Sequence, residues 1–274
     1  MQRSLSLAAL VFSLSACTAR TGATPTPIPA SLEAPSAVAS SPTLPQPEAA
    51  ATQPAPVGEP PASQAAEIPG AEGLILRGVF YPAPGSSAPG VLLLHMYGGS
   101  KADWDELAQA LQDAGFAALA IDLRGHGETG GTEDWALARQ DVAAAYAWLA
   151  THEGVDGARV GVVGASIGAN LALVQGAEDA SVAAIGLLSP GFDYFRVVIE
   201  GLIEEYGDRP SFLAASEEDT YSAETVRALA ASALGEAELA IYTGAGHGTA
   251  MLENEPELTV RLIVFLARWL IPAN

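Results

Sequence analysis

The sequence predicts an α/β fold: a mainly parallel central β-sheet with helices on both faces and no large cap domain. Two observations carry this reading. From residue 74 onward, short apolar runs alternate with longer segments whose apolar residues recur at helical spacing, which is the pattern of strands joined by crossover helices. Runs such as Val91-Leu92-Leu93-Leu94 are apolar at every position, as strands covered on both faces must be.

Taken in order, Leu74 to Tyr81 reads as a first strand or hairpin and Val91 to Leu94 as the next strand. Ser100 and Asp103 then cap a helix whose Trp104, Leu107, Ala108 and Leu111 share one face, and Gly115 stops it. Phe116 to Ile121 is a strand, and Thr132, Glu133 and Asp134 open a helix running to about Leu149. A strand at Val160 to Gly164, a helix from Ile167 to about Gln175 and a strand at Ala183 to Leu188 follow. Between Pro190 and Pro210 there is room for one helix, with Phe195, Ile199, Leu202 and Tyr206 on a single face that packs against the sheet. Phe212 to Ala215 is a strand, Ser222 to Leu234 a helix and Leu239 to Tyr242 a strand. Pro256 to Leu270 closes the chain as a helix with Leu258, Leu262, Phe265, Leu266 and Trp269 on one side.

The composition changes at about residue 70. Residues 1–17 read as an export signal: Arg3 and the amino terminus are positive, and Leu5 to Leu14 form an apolar run too short to span a bilayer. That segment ends in Leu14-Ser15-Ala16-Cys17, which resembles the lipobox of bacterial lipoproteins, and Cys17 is the only cysteine. The resemblance implies that Cys17 is acylated after cleavage and anchors an extracytoplasmic protein of a bacterial cell envelope to its membrane. Residues 18–69 hold 12 of the 19 prolines, no aromatic residue and one basic residue, Arg20. Such a segment lacks the apolar surface to offset its backbone entropy and is expected to be a disordered, semi-stiff tether, reaching at most about 150 Å at about 3.1 Å per residue.

Residues 70–274 carry all four tryptophans and all seven tyrosines, enough for one core and one domain. Most of the net charge of −20 lies there, because residues 1–69 contain only two basic and four acidic side chains. So acidic a surface excludes nucleic acid as a partner and opposes direct adhesion to anionic lipid.

Three short stretches carry the chemistry. In Gly164-Ala165-Ser166-Ile167-Gly168, the serine follows a buried strand and precedes a helix, and the flanking glycines suit a sharp turn where backbones come close. No lysine follows as a phosphate-binding loop would require. Ser166 needs a base to become nucleophilic. His247, in the loop Gly244-Ala245-Gly246-His247-Gly248 after the last strand, is the candidate, ahead of His95, His126 and His152. The imidazole needs a carboxylate to fix its tautomer. Asp219, shortly after the strand at Phe212, is the candidate, with Glu217, Glu218 and Asp193 as rivals.

Leu94-His95-Met96-Tyr97-Gly98-Gly99, Asp122-Leu123-Arg124-Gly125-His126-Gly127, the serine pentapeptide and Gly246-His247-Gly248 together resemble the α/β-hydrolase family, especially its dienelactone-hydrolase-like and esterase-like members. The resemblance covers about residues 72 to 270 and implies a serine hydrolase that cleaves carboxylic esters through an acyl-enzyme, with no metal and no cofactor. It also implies that the N–H groups of Ile167 and Tyr97 form the oxyanion hole, and that the Asp122 to Gly127 loop braces the serine turn. At the first motif the family usually has His-Gly, whereas here Met96 stands in the glycine position. Without a long insertion the site is expected to be open, suited to small esters or to exposed acyl groups on a larger molecule. A peptidase or amidase using the same three residues, and a tethered binding module without turnover, are the other classes compatible with the sequence.

Overall fold

The computed structural model describes residues 60–272 of the chain. The signal segment, Cys17 and the tether as far as residue 59 lie outside the described residues. In chain order the elements are β1 (Gln64–Pro69), β2 (Ile75–Tyr81), β3 (Ala88–Leu94), α1 (Asp105–Asp113), β4 (Ala117–Ile121), α2 (Trp135–Ala150), β5 (Val155–Ala165), α3 (Ile167–Glu178), β6 (Val182–Leu188), β7 (Asp193–Tyr194), β8 (Val197–Val198), α4 (Leu202–Tyr206), β9 (Ser211–Ser216), α5 (Thr220–Ser232), β10 (Ala237–Tyr242), α6 (Ala250–Asn254) and α7 (Pro256–Leu270).

Eight strands form one sheet in the order β1-β2-β4-β3-β5-β6-β9-β10. The pairings from β4 through β10 are parallel, while β1 with β2 and β2 with β4 are antiparallel. Every residue of β3 and β4 is buried, which explains why these strands read as unbroken apolar runs. One face of the sheet packs against α1, α6 and α7 through Leu107, Leu111, Met251, Leu258, Leu262 and Phe265. The other packs against α2, α3 and α5, where Val142, Leu171, Leu173, Val226 and Leu229 are among the contributors. Asp134 caps α2 by accepting from the N–H groups of Ala136 and Leu137, both at 3.0 Å, and Gly115 ends the turn after α1 at φ +91°, as their residue types predict.

Two sequence-based expectations are corrected. The tether does not extend to residue 69, because Gln64–Pro69 is the edge strand β1, paired antiparallel with β2. Its Ala66 and Ile68 face the core at 4% and 1% exposure. Only two of the six positions are buried, and in a proline- and alanine-rich stretch they gave this strand no visible period. Residues ahead of it are also held, since Gln112 Nε2 donates to the carbonyls of Pro61 and Pro82 at 2.8 and 2.7 Å.

The second correction concerns Pro190 to Pro210, which is not one helix. It forms the two-residue strands β7 and β8, paired as a tight hairpin, followed by the short α4. Ile199 and Tyr206 are buried as expected, but Phe195 sits exposed at the hairpin tip. Among the described residues, the hairpin and α4 are the only elements between β6 and β9.

Buried charges brace the strand ends. Asp122, at the end of β4, accepts from Lys101 Nζ at 2.6 Å, from Lys101 N–H at 2.8 Å and from Glu128 N–H at 2.8 Å. Burial alone would raise its pKa, but these donors and the Lys101 charge outweigh burial and hold the carboxyl below the usual range. Gly127 is required beside it, because a Cβ there would lie 2.2 Å from the Asp122 carboxyl carbon. Arg124 makes a bidentate pair with buried Asp141 at 2.7 and 2.9 Å, and Asp141 also accepts from Ala71 N–H, tying the connection between β1 and β2 to α2.

Removing β1 should expose the β2 edge and the core beneath Ile68. A chain beginning at Gly70 is expected to lose at least about 2 kcal/mol of unfolding free energy against one beginning at Pro60, judged by the cost of exposing one large aliphatic side chain. Urea titration of both proteins checks this. A carboxyl with a lowered folded-state pKa stabilises the fold above its unfolded-state value and loses that contribution as pH falls through the folded-state value. Asp122→Asn is therefore expected to lower Tm at neutral pH and to flatten the fall of Tm on acidification, which thermal melts across acidic and neutral buffers measure.

Candidate active site

Ser166 stands alone between the end of β5 and the start of α3, at φ +54° and ψ −121°. A side-chain-bearing residue in this region costs about 1–3 kcal/mol and persists only where its surroundings enforce it. They do so by backbone contact. A Cβ at Gly164 would lie 2.0 Å from the Gly168 carbonyl oxygen, and one at Gly168 would lie 2.2 Å from the Leu94 carbonyl oxygen. Neither partner is a side chain that can move aside. Ser166 N–H donates to Leu188 O at 2.8 Å, so the sheet continues up to the serine itself.

His247 lies in the loop after β10, between Gly246 at φ +86° and Gly248 at φ +62°. Its Nε2 is 2.8 Å from Ser166 Oγ and its Nδ1 is 2.6 Å from Asp219 Oδ2. A carboxylate only accepts, so Nδ1 carries the proton and Nε2 accepts from the serine hydroxyl. Asp219 is also the N-cap of α5, where its other oxygen faces Ser222 N–H at 3.4 Å.

The loops bearing Asp219 and His247 are tied together by a second set of bonds. Glu218 accepts from Ser216 Oγ at 2.7 Å and from Gly244 N–H at 2.8 Å, and Ala245 N–H donates to Ser216 Oγ at 3.1 Å. The Gly244 N–H, followed by the Ser216 hydroxyl, holds the Glu218 carboxyl below its ordinary pKa. Ser189, at the end of β6, accepts from Gly248 N–H at 3.0 Å and donates to Met251 Sδ at 3.2 Å.

The rivals for the acid are engaged elsewhere. Glu217 pairs with Arg227, Glu218 braces the loops, and Asp193 accepts from Arg196 N–H at 2.8 Å within the hairpin. The other histidines are likewise structural in their contacts. His95 is fully buried, its Nδ1–H donates to Met96 O at 2.7 Å, and its Nε2 accepts from Leu123 N–H at 2.9 Å. Burial is the main cause of its lowered pKa. His126 sits beside it with ring centroids 5.1 Å apart, and His152 packs on Phe80 and Trp148.

The two N–H groups expected to hold an oxyanion flank the serine turn. Ile167 opens α3 and has no carbonyl one turn earlier. Tyr97 N–H meets no acceptor among the described residues. The loop bearing Tyr97 lies against the serine turn, since the carbonyl oxygen of His95 is 2.6 Å from where a Gly168 Cβ would sit. Met96 fits because the loop residue with a glycine-like backbone is Gly98, at φ +71°, and not position 96. The Met96 sulfur instead fills the space beside Gly248, where a Cβ would come within 2.7 Å of it. A cleft of about 260 Å³ runs beside this loop, lined by Met96, Gly98, Gly99, Asp103, Thr249 and Glu253 among others.

Tyr194 is the site neighbour that the sequence did not reveal. Its ring stands edge-on to His247 at 6.3 Å and its hydroxyl is 3.1 Å from Ser222 Oγ. Gly191 clears room for it, because a Cβ there would lie 2.6 Å from Tyr194 Cζ. The hairpin carrying it has no Gly, Asn or Pro at its tip, so the usual turn signal is missing.

A family model described as the alpha/beta hydrolase fold matches residues 89–203, a span that includes Ser166 and stops before Asp219 and His247. The chain is 33% identical over 114 residues to an uncharacterized protein of Mycobacterium tuberculosis, Rv2307c, a match covering 41% of each. The aligned chain thus spans about 41% of that relative's length. Among solved structures, a dienelactone hydrolase from Anabaena variabilis superposes with TM-score 0.61 at 22% identity, covering 77% of this chain and 97% of that one. The Pyrococcus furiosus esterase Pf2001 superposes with TM-score 0.64 at 21% identity, covering 76% and 91%. The sheet order, the serine turn and these likenesses agree: the chain is an α/β-hydrolase-fold protein.

Proposed function

We propose that the protein is a serine hydrolase of carboxylic esters, held outside the cytoplasm of a bacterial cell by a lipid on Cys17. The observation that carries the enzymatic part is the continuous chain of contacts from Ser166 Oγ through the His247 ring to Asp219, at 2.8 and 2.6 Å, on a turn whose backbone is strained. The dienelactone hydrolase and esterase likenesses support the hydrolase class. Cys17 and the proline-rich stretch behind it support the anchor.

In the first step Ser166 Oγ attacks the ester carbonyl carbon while His247 Nε2 takes the hydroxyl proton, and Asp219 stabilises the imidazolium. The carbonyl oxygen, now negative, accepts from Ile167 and Tyr97 N–H, and the α3 N-terminus favours the same charge. The carbon–oxygen bond to the alcohol then breaks, and His247 returns its proton to the leaving oxygen. Water enters next. The imidazole, whose side chain is 41% exposed, is open to solvent and takes a proton from the attacking water; the acyl–serine bond breaks, and the acid departs as Ser166 regains its proton.

A fluorophosphonate probe is expected to label the wild type at Ser166, and Ser166→Ala to abolish both labelling and hydrolysis of 4-nitrophenyl acetate. A folded wild type that never labels would refute the serine assignment. Asp219→Asn is expected to lower kcat by about 10,000-fold, through loss of the productive tautomer. Because neutral imidazole is the base, kcat/KM should rise from mildly acidic to mildly alkaline buffer; a flat profile contradicts His247. Release from the ester without release from a matched peptide anilide separates the esterase from a peptidase. For the anchor, incorporation of an alkyne-tagged fatty acid into the full chain expressed in a bacterium, lost on Cys17→Ser, is the expected result.

A further inference from the structure

The hairpin that replaces the expected helix ends in Phe195 at φ +51° and Arg196 at φ +69°. Both central residues of its two-residue turn are therefore in the left-handed region, where Asn-Gly or Asp-Gly is the usual choice. A large aromatic residue there is costly, and burial does not compensate, because Phe195 remains 46% exposed. What the conformation achieves is contact. Phe195 stacks on Trp135 with centroids 5.1 Å apart and planes within 22°, and lies 4.8 Å from Tyr97, itself 50% exposed. His126 lies beneath, 5.5 Å from Tyr97 and 6.0 Å from Trp135.

Three separate elements thus bring aromatic rings to one solvent-facing surface: the loop after β3, the first residue of α2 and the hairpin tip. This surface adjoins the reacting groups on two sides. Tyr97 supplies one of the two oxyanion N–H groups, and Tyr194, the residue before Phe195, stands edge-on to His247.

We propose that Tyr97, Trp135 and Phe195 form a substrate shelf that takes an aryl group of the ester, making the preferred substrates aryl-bearing esters. The proposal rests on Ser166 being the nucleophile. An apolar ring laid against these faces gains stacking and buries surface that the fold alone leaves wet. The aryl group can belong to the acyl or to the alcohol part, and the two are told apart by substrate pairs: methyl phenylacetate against methyl acetate, and benzyl acetate against ethyl acetate.

The wild type is expected to show a higher kcat/KM for the aryl member of at least one pair. Phe195→Ala and Trp135→Leu should each reduce that preference by about 3- to 10-fold, the range typical of one aromatic contact, and Phe195→Tyr should restore it. Preferences unchanged in both variants would overturn the shelf. A binding measurement keeps the two readings apart. In Ser166→Ala protein, quenching of tryptophan emission is expected to show tighter binding of the aryl ester than of its alkyl partner, and Phe195→Ala in that background should erase the difference. Equal binding of the two esters overturns the shelf; absence of turnover and of probe labelling, with selective aryl binding retained, refutes the nucleophile and leaves the shelf standing.

Discussion

A close approach of backbone segments governs the Ser166 corner. At Gly164, Gly168 and Leu94 three segments come so near that no side chain fits between them. That approach lets a strand turn into a helix within a single residue, and the residue at the corner has nowhere to place its side chain except away from the sheet. The strain at Ser166, about 1–3 kcal/mol by its backbone angles, is spread over the surrounding ladder: Ser166 N–H bonds to β6, and its carbonyl accepts from the first turn of α3. Any widening of the corner would move the hydroxyl, the α3 N-terminus and the Tyr97 loop together, because all three meet at Gly168.

Parallel strands make the rest of the arrangement inevitable in outline. Their C-terminal ends all lie along one edge, so the loops after β3, β5, β9 and β10 gather there, which is where ligand sites of open α/β sheets form. Gathering is not alignment, however. The loop bearing His247 is glycine-rich and the one bearing Asp219 is only three residues long, and their alignment comes from side chains that do no chemistry in the proposed mechanism. Glu218 joins the β9 loop to Gly244, Ser216 reaches Ala245, and Ser189 holds Gly248. On the serine side, buried Asp122 fixes Lys101 and His95 fixes Leu123, locking the loop after β3 to the loop after β4.

How far the sequence reveals this depends on the range of each interaction. Buried strands and amphipathic helices are written locally, so α7 appears over Pro256 to Leu270 as expected, and the all-apolar run at Val91 marks β3. The serine turn is legible too, because its steric demand falls on residues two positions away. Order along the chain was enough to name Asp219 and His247 as partners; the structure adds that Glu217 and Glu218 are each engaged elsewhere. β1 is not legible in the sequence because its half-buried alternation offers two core residues among prolines and alanines. The hairpin is not legible either, because helical spacing at Phe195, Ile199, Leu202 and Tyr206 is also produced by a turn, a loop and a short helix in succession.

That hairpin shows what a violated local rule can mean. Natural chains place Asn or Gly where a two-residue turn needs positive φ, and departures that persist tend to sit where function requires them. Here both departures lie within two residues of Tyr194, which stands edge-on to His247, and the exposed ring they hold in place meets Tyr97, in the loop that lies against the Ser166 turn. A conformational cost that bought only packing would be expected to bury Phe195. Instead the ring is left half in water and stacked on Trp135, so packing alone does not account for its strained backbone, whereas the proposed aryl shelf does.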